Sequence, residues 1–201
     1  DTVLQARDAA RAVLVEYEEL PFVVDAERAL AADAPKVHEW GNLVGQSRPY
    51  ARGDVAAGFA AADAVVEMTF RTPVQMHTPM EVHCSVAQWD GERLTVWDST
   101  QGVYAIRESL AATFKLPLAS VRVIGHYMGG GFGSKLELGK YTAIAALLAR
   151  RLGRPVKVAL TREETFLVAG NRPSNVITLK AGARKDGTLT ALEARLMGPA
   201  G

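Results

Sequence analysis

The sequence predicts an α+β fold, in which helices and strands mix without a strict βαβ alternation. Two hairpin signals support this prediction, because Asp90-Gly91 and Asp186-Gly187 each lie between two β-like runs. A third observation is the amphipathic run "LELGKYTAIAALLARRLG", which is typical of a helix and ends at Gly153. The sequence contains no internal repeat and no low-complexity segment.

The N-terminal segment carries weaker signals. "TVLQARDAARAVLVEYEELP" begins as an Ala-rich helix and continues into a strand predicted over residues 13–17, where apolar residues alternate. The mixed stretch that follows Pro21 predicts an ordered connector with a short helix near residues 26–31. A structureless linker of that length would be unusual in a compact domain.

The remaining elements are predicted from short local signals. Asp54 is the expected N-cap of a helix in "GDVAAGFAAAD", and Val66, Met68 and Phe70 share one side of a strand in "AVVEMTFRT". Thr161, followed three residues later by a glutamate, forms a capping box in "TREETFL". A further helix is predicted in "GVYAIRESLAATFKL", and further strands in "SVRVIG" and "PVKVAL".

The composition excludes several classes of protein. Of the 201 residues, 48% are hydrophobic and 22% are charged, as in a soluble globular domain. The net charge of +1, without a long basic patch, argues against nucleic acid or an anionic membrane as a partner. The longest apolar run, "AIAALLA", is far shorter than the roughly 20 residues that a membrane span needs.

Cys84 is the only cysteine, which excludes an intrachain disulfide. A single cysteine fits a reducing compartment, and we expect a cytoplasmic protein. The chain begins at Asp1 without an initiator methionine or a signal-peptide pattern, and its last residues, "RLMGPAG", have no terminal character. We therefore expect a fragment of a longer chain.

The stretch "HYMGGGFGSKLELGKY" places three glycines, Phe132 and Gly133 between a predicted strand and a predicted helix. Unpaired N–H groups at a helix N-terminus favour an anion, a phosphate or an oxo group, and glycine lets a ligand approach them closely. Neither standard phosphate loop fits, because Ser134 replaces the third glycine of G-x-G-x-x-G and Leu136 follows Lys135 where a P-loop needs serine or threonine. A tight turn without a ligand is the alternative.

Other polar residues carry weaker indications. His77, Glu81, His83 and Cys84 are possible metal ligands, but their spacing is not that of a zinc site, so we interpret them as structural. In "DSTQGVY" the glutamine, Gln101, is by itself more typical of a turn or a cap. The arginine of "NRPSN" could meet an anion, although such residues are more often surface charges.

Taken together, the motifs resemble one family. Their order, "PMExH…WDG…STQ…GGGFG.K…GRPVK…R.E.F…DG.L.AL", is similar to that of the molybdenum-binding large subunit of the molybdenum hydroxylases, and the resemblance covers nearly the whole chain. That family includes xanthine dehydrogenase, aldehyde oxidoreductases, CO dehydrogenase and bacterial heteroaromatic dehydrogenases. The resemblance implies the tail of an α/β-hammerhead domain in residues 1–20, an ordered connector in 21–55 and a truncated first molybdenum-cofactor-binding domain in 56–201.

The resemblance also implies roles for individual residues. Gln101 would hydrogen-bond near the oxo ligand of the metal. Gly130, Gly131, Phe132 and Gly133 would hold the cofactor, a molybdopterin in its simple form or as the cytosine dinucleotide. Phe132 would also form a wall of the substrate pocket, which makes Gln101 and Phe132 the implied catalytic residues. The dithiolene of the pterin, and no protein side chain, would hold the metal.

The implied reaction is hydroxylation of a C–H bond with water as the oxygen source. Purine-oxidising members carry a glutamate directly after the loop lysine, whereas this chain has Leu136. Glu137 would be turned away by about 100° if the helix has begun, so we expect an aldehyde or N-heteroaromatic small-molecule substrate. The family's general-base glutamate belongs to a second cofactor domain that this chain does not reach.

The implied partners are the remainder of the large subunit, with its second cofactor domain, and iron–sulfur and FAD subunits or domains. Two alternatives stay open at this point. The chain could be a non-catalytic scaffold subunit of a split molybdoenzyme, or an unrelated module that binds an anion or a nucleotide with the same glycine loop.

Overall fold

The computed structural model of this protein describes residues 2–45, 47 and 49–199. The chain forms two compact units, which divide after Asp54. The mixture of helices and strands confirms the predicted α+β class. Within the described ranges, no helix is long and apolar enough to cross a membrane.

Among its described residues, the first unit contains two short helices, α1 (Val3–Arg11) and α2 (Ala26–Ala29). A capping box starts α1, because Thr2 accepts the N–H of Gln5 at 3.2 Å and donates its own N–H to the Gln5 side chain at 2.9 Å. Asp25 caps α2 by accepting the N–H of Arg28 at 2.7 Å. The short helix predicted in the connector is therefore confirmed.

The strand predicted over residues 13–17 is wrong. These residues form neither helix nor strand, and Val13, Leu14, Val15 and Tyr17 are exposed. A strand needs hydrogen bonds from a neighbouring strand, and the described part of the first unit contains no second strand. The alternation of apolar residues therefore has no sheet to join.

The described part of the second unit, residues 55–199, contains two sheets and four α-helices. The strands are β1 (Ala64–Thr72), β2 (Cys84–Asp90), β3 (Arg93–Asp98), β4 (Val121–Ile124), β5 (Val156–Ala159), β6 (Asn175–Ala183) and β7 (Leu189–Met197). The helices are α3 (Val55–Ala60), α4 (Val103–Phe114), α5 (Lys140–Leu152) and α6 (Arg162–Val168), with a 3-10 turn at Leu118–Ser120.

The four-stranded sheet, in the order β4–β3–β2–β5, carries the hydrophobic core. β2 and β3 form the hairpin predicted at Asp90-Gly91, with Gly91 in the left-handed region at φ +56°. β4 lies parallel to β3 and is reached by a crossover that contains α4. The core is built from fully buried side chains of β2, β3, α4 and α5: Ala87, Leu94, Val96, Ile106, Leu110, Ala145 and Ala146. This packing fixes the end of β3, where the candidate site begins.

The three-stranded sheet, in the order β1–β6–β7, is antiparallel throughout. β6 and β7 form the second predicted hairpin, and Gly187 in its turn has φ +87°. Val66, Met68 and Phe70 of β1 pair with Ala181, Leu179 and Ile177 of β6. Alternate residues of a strand share a face, so these six form one apolar face, as predicted for β1.

The predicted stops and caps of the C-terminal helices are confirmed. Gly153 ends α5 with φ +63°. Thr161 accepts the N–H of Glu164 at 3.1 Å, and its own N–H donates to the Glu164 carboxylate at 2.7 Å, which completes the capping box of α6.

The glycine loop does not run directly into a helix, and this part of the sequence prediction is wrong. α5 begins only at Lys140, and residues 132–137 form turns and bends. Lys135 buries its side chain in this stretch, and its backbone N–H and carbonyl both bond to Gln101. Those bonds replace the helical ones, so the loop N–H groups are not at a helix N-terminus. The rotation of about 100° expected between Leu136 and Glu137 required the helix to have begun there, and that condition is not met.

Candidate functional site

Gln101 lies just beyond the end of β3 and is exposed. Its side-chain oxygen Oε1 accepts the N–H of Gly133 at 2.9 Å and the N–H of Lys135 at 3.4 Å. Its backbone N–H donates to the Lys135 carbonyl at 2.9 Å. Two N–H donors at one end of a carboxamide identify that end as the oxygen. The other end, Nε2, has no hydrogen-bond partner among the described residues and is available as a donor.

The glycine loop has a strongly turned backbone. Gly130, Phe132 and Gly133 have φ values of +96°, +55° and +101°. The left-handed region is uncommon for a bulky residue such as Phe132 and costs it about 1–2 kcal/mol. Ser134 closes the turn, since its N–H and its hydroxyl both donate to the Gly131 carbonyl, at 3.0 and 2.8 Å. Backbone strain of this kind persists only where the surroundings impose it.

Gly131 is the point where the loop and Gln101 meet. A Cβ atom on Gly131 would lie 2.6 Å from Cδ and 2.8 Å from Cγ of Gln101. Real Cβ atoms do not approach other atoms so closely, and any side chain here would displace the carboxamide. Glycine at 131 therefore leaves room for the carboxamide of Gln101, whereas glycine at 133 is favoured by its φ of +101°.

The loop backbone offers further donors. Within the described part of the chain, the N–H groups of Gly130, Gly131 and Phe132 have no acceptor. Together with Nε2 of Gln101 they form a set of donors around one turn. Such a set suits a ligand that carries anionic or oxo oxygen atoms.

Phe132 is 72% exposed, and its ring folds back over Gly130. A cavity of about 400 Å³ lies beside the loop. Its lining includes His77, Gly133, Leu136, Glu137 and Asn171, and Phe132 is not part of it.

Glu81 and Lys135 form an ion pair behind the loop, with Nζ and Oε2 2.9 Å apart. Oε2 also accepts the N–H of Gly129 at 2.8 Å and the hydroxyl of Ser99. Partial burial opposes ionisation of Glu81, but the hydrogen bonds from Ser99, Lys135 and Gly129 outweigh it and lower the pKa of this carboxyl. Glu81 is therefore ionised at neutral pH.

His83 supports the loop from the core side. It is fully buried, and its Nε2 lies 3.2 Å from the Ser134 carbonyl. Burial lowers the pKa of His83, and the charges of Lys135 and Arg162 lower it further, although the bond to Ser134 acts in the opposite direction. The ring is therefore neutral, and because a carbonyl only accepts, the proton is on Nε2.

The polar residues of "HTPMEVHC" do not form a metal centre. Across the described residues, no group of three or more His, Cys, Asp and Glu side chains could hold a metal ion. Glu81 and His83 bond to the loop instead, and burial raises the pKa of the Cys84 thiol. Arg172, the arginine of "NRPSN", is exposed, as predicted for a surface charge, and its backbone pairs with Gln75.

Sequence reasoning missed the contribution of Glu81, His83 and Lys135 to the loop. The interpretation of Glu81 and His83 as structural does not include their contacts with the glycine loop. The sequence feature that could have predicted these contacts is the glutamate of "PMExH" and the lysine of "GGGFG.K", which both belong to the ordered set of motifs.

Comparison with known proteins now identifies the class. Residues 37–201 match the family described as "Molybdopterin cofactor-binding domain". The chain belongs to this family, which confirms the resemblance found in its motifs.

Three known proteins illustrate the similarity. The chain is 40% identical over 188 residues to a xanthine dehydrogenase molybdenum-binding subunit of Escherichia coli O157:H7, covering 92% of this chain and 25% of that protein. It is 43% identical over 140 residues to an aldehyde oxidoreductase molybdenum-binding subunit of the same organism, covering 70% and 19%. The structure of quinoline 2-oxidoreductase from Pseudomonas putida 86 matches with a TM-score of 0.86 and 35% identity, covering 97% and 25%. The chain thus spans about a quarter or less of the length of these relatives.

The residues of the loop fit the cofactor in the family's description. A molybdenum cofactor carries oxo and phosphate oxygens, and the loop supplies backbone donors without acceptors together with one free amide donor. Glycine at 131 and 133 keeps side chains away from this surface.

Proposed function

We propose that this chain forms one wall of the molybdenum-cofactor site in the large subunit of a molybdenum hydroxylase. Gln101, Gly130, Gly131, Phe132 and Gly133 are the proposed cofactor-binding residues. The single observation that carries the proposal is that Nε2 of Gln101 and three N–H groups of the loop that Gln101 contacts all lack an acceptor among the described residues. When bound, the cofactor supplies the oxidation of a substrate C–H bond with water as the oxygen source.

The residues of this chain contribute binding and orientation. With the cofactor bound, Nε2 of Gln101 would donate a hydrogen bond to one of its oxygens, and the loop N–H groups would supply further donors. Donors that are fixed before the reaction stabilise charge as it develops in the transition state. Phe132 covers one side of the loop and is the proposed wall of the substrate pocket.

The proposed substrate is an aldehyde or an N-heteroaromatic compound, because Leu136 stands where purine-oxidising members have a glutamate. The aldehyde oxidoreductase and quinoline 2-oxidoreductase relatives support this substrate class. A purine is the second candidate, since the carboxylate of Glu137 lines the 400 Å³ cavity together with Leu136. Steady-state assays of the complete enzyme with an aldehyde, quinoline and xanthine decide between them through kcat/KM.

The proposed organisation follows the family. We assign residues 1–20 to the end of a hammerhead domain, 21–55 to a connector and 56–201 to the first cofactor domain. A second cofactor domain would supply the general-base glutamate, and iron–sulfur and FAD subunits or domains would accept the electrons. Relatives named as molybdenum-binding subunits support such an assembly. A cytoplasmic location is proposed from the single cysteine.

The experiment that tests the proposal is metal and pterin analysis of the complete enzyme purified with its partners. We expect stoichiometric molybdenum and pterin, together with hydroxylation of the substrate. If the intact assembly contains neither, the proposal is wrong. If the metal is present but a separately encoded partner holds every cofactor contact, the chain is a non-catalytic scaffold subunit.

A further inference from the structure

Lys135 is a buried cation at the end of the glycine loop, and only 1% of its surface is exposed. Its ammonium donates to Oε2 of Glu81 at 2.9 Å, to Oγ of Ser99 at 2.7 Å and to the Glu81 carbonyl at 3.2 Å. An ammonium has three N–H donors, so all of them are used. A lysine is almost never fully buried unless it is paired in this way. With no free donor, Lys135 does not reach a ligand itself.

The same carboxylate also holds the start of the loop. Oε2 of Glu81 accepts the N–H of Gly129 at 2.8 Å, and the N–H of Glu81 donates to the Gly129 carbonyl at 3.1 Å. Glu81 therefore joins both ends of the segment 129–135. We call Glu81, Ser99, Gly129 and Lys135 the loop clasp.

The backbone of Lys135 connects the loop clasp to Gln101. Its carbonyl accepts the N–H of Gln101 and the hydroxyl of Thr100, both at 2.9 Å. Its N–H points to Oε1 of Gln101, which also accepts from Gly133. The position of the Lys135 peptide thus determines both the backbone and the carboxamide of Gln101.

We propose that Lys135 is a positioning residue for Gln101, because its ammonium in the loop clasp fixes the peptide that holds the carboxamide with Nε2 outward. What Nε2 then binds rests on the function proposed above, whereas the positioning itself does not depend on a bound cofactor. Removing the ammonium frees the Lys135 end of the loop from Glu81 and Ser99 and lets the carboxamide rotate, while the two bonds between Glu81 and Gly129 remain.

The first test is hydrogen exchange of the complete enzyme, followed in peptides that cover residues 129–137. Lys135→Met should accelerate exchange of these amides by about 10-fold or more, which is the loss expected when one or more hydrogen bonds that hold a segment are removed. Lys157→Met is the matched control, because Lys157 is exposed on β5 and lies outside the loop clasp. Exchange that is equally fast in wild type and Lys135→Met would overturn the proposal.

The second test is a double-mutant cycle on turnover, with molybdenum content measured for every variant. If Lys135 acts through Gln101, Lys135→Met should lower kcat when Gln101 is present but should lower kcat little further when Gln101 is already replaced by alanine. Independent effects that multiply would show that Lys135 is merely structural and would overturn the proposal.

Ser99→Ala keeps the proposal testable if Lys135→Met fails to fold. It removes one hydrogen bond to Lys135 and one to Glu81 but leaves the ion pair in place. We expect a smaller acceleration of exchange in the same peptides, and unchanged exchange would overturn the role of the loop clasp. If the wild-type enzyme lacks molybdenum, the proposed function fails, and the exchange data still decide whether Lys135 positions Gln101.

Discussion

The glycine loop and the turn of the second hairpin use the same backbone chemistry in different surroundings. Gly133 in the loop and Gly187 in the turn both lie in the left-handed region, with φ values of +101° and +87°. The hairpin turn is closed mainly by local bonds, from Arg184 to Thr188 and from Gly187 to Arg184. Its one distant bond runs from the N–H of Lys185 to the Asp63 carboxylate at 2.8 Å, and a Cβ atom on Gly187 would meet nothing within 4 Å. The glycine loop is held by residues distant in sequence, including Glu81 and Gln101.

This difference indicates which of the two glycine-containing turns can serve as a ligand-binding site. A local turn satisfies its own hydrogen bonds and leaves little for a ligand. The glycine loop has its ends fixed from outside, so the N–H groups between them need not pair within the turn. The residues that fix a loop are therefore as informative about a site as the glycines in it.

The largest effect is expected when the loop glycines are replaced. Gly131→Val would collide with Gln101, and Gly133→Val would place a β-branched residue at φ +101°. We expect the complete enzyme to lose its molybdenum in both variants. Metal analysis checks this, and Gly187→Val is the matched control for Gly133→Val, because it carries comparable backbone strain away from the loop. Full molybdenum content in the loop variants would show that the glycine loop is an ordinary turn that does not hold the cofactor.

The second largest effect is expected at Gln101. Gln101→Ala removes the free Nε2 donor and should lower kcat on the order of 10²-fold, the usual cost of losing one donor that stabilises transition-state charge. Molybdenum content should stay unchanged. Gln88→Ala, on the exposed surface of β2, is the control. An unchanged kcat at full metal occupancy would assign Gln101 a structural role only.

The two hairpins and the capped helix α6 were predictable because their signals are local. Asp90-Gly91, Asp186-Gly187 and the Thr161 capping box each determine structure within a few residues. The absence of a strand over residues 13–17 was not predictable, because the alternation of apolar residues does not show whether a partner strand is present. The start of α5 was misplaced for a related reason: bonds between Lys135 and distant residues override the helical pattern after the loop.

The candidate site was predictable only in part. The identity of Gln101 and of the loop glycines came from the order of motifs, not from any single one. The ion pair between Glu81 and Lys135 joins residues 54 positions apart. Only the fold brings them together, so no local pattern could predict it. The predicted roles of Gln101 and Phe132 stay predictions until the variants are measured.

A smaller effect is expected at Phe132. Phe132→Ala removes an exposed ring that is not part of the loop clasp, so the complete enzyme should retain its molybdenum. The ratio of kcat/KM for a heteroaromatic and an aldehyde substrate should shift by about 10-fold, as is usual when a pocket wall changes. Phe22→Ala is the control, because its ring is 64% exposed, close to the 72% of Phe132, and lies outside the glycine loop. An unchanged ratio would remove Phe132 from the substrate pocket.

The smallest effect is expected at Asp186 in the hairpin turn. Hydrogen bonds from Thr188 lower the pKa of Asp186, so its ionised form stabilises the fold above the ordinary aspartate range, and this contribution is lost as pH falls. The urea midpoint of wild type should exceed that of Asp186→Asn slightly at pH 7, and this difference in midpoint should narrow towards pH 3.

The comparison with Glu81 completes this test. The pKa of Glu81 is also lowered, so the difference in urea midpoint between wild type and Glu81→Gln should also narrow as pH falls. At pH 7 it should be the larger of the two differences, because Glu81→Gln leaves the buried Lys135 without its counter-ion. A larger difference in urea midpoint for Asp186→Asn than for Glu81→Gln would mean that the hairpin turn stabilises the fold more than the ion pair behind the loop. The comparison between the two regions would then be wrong.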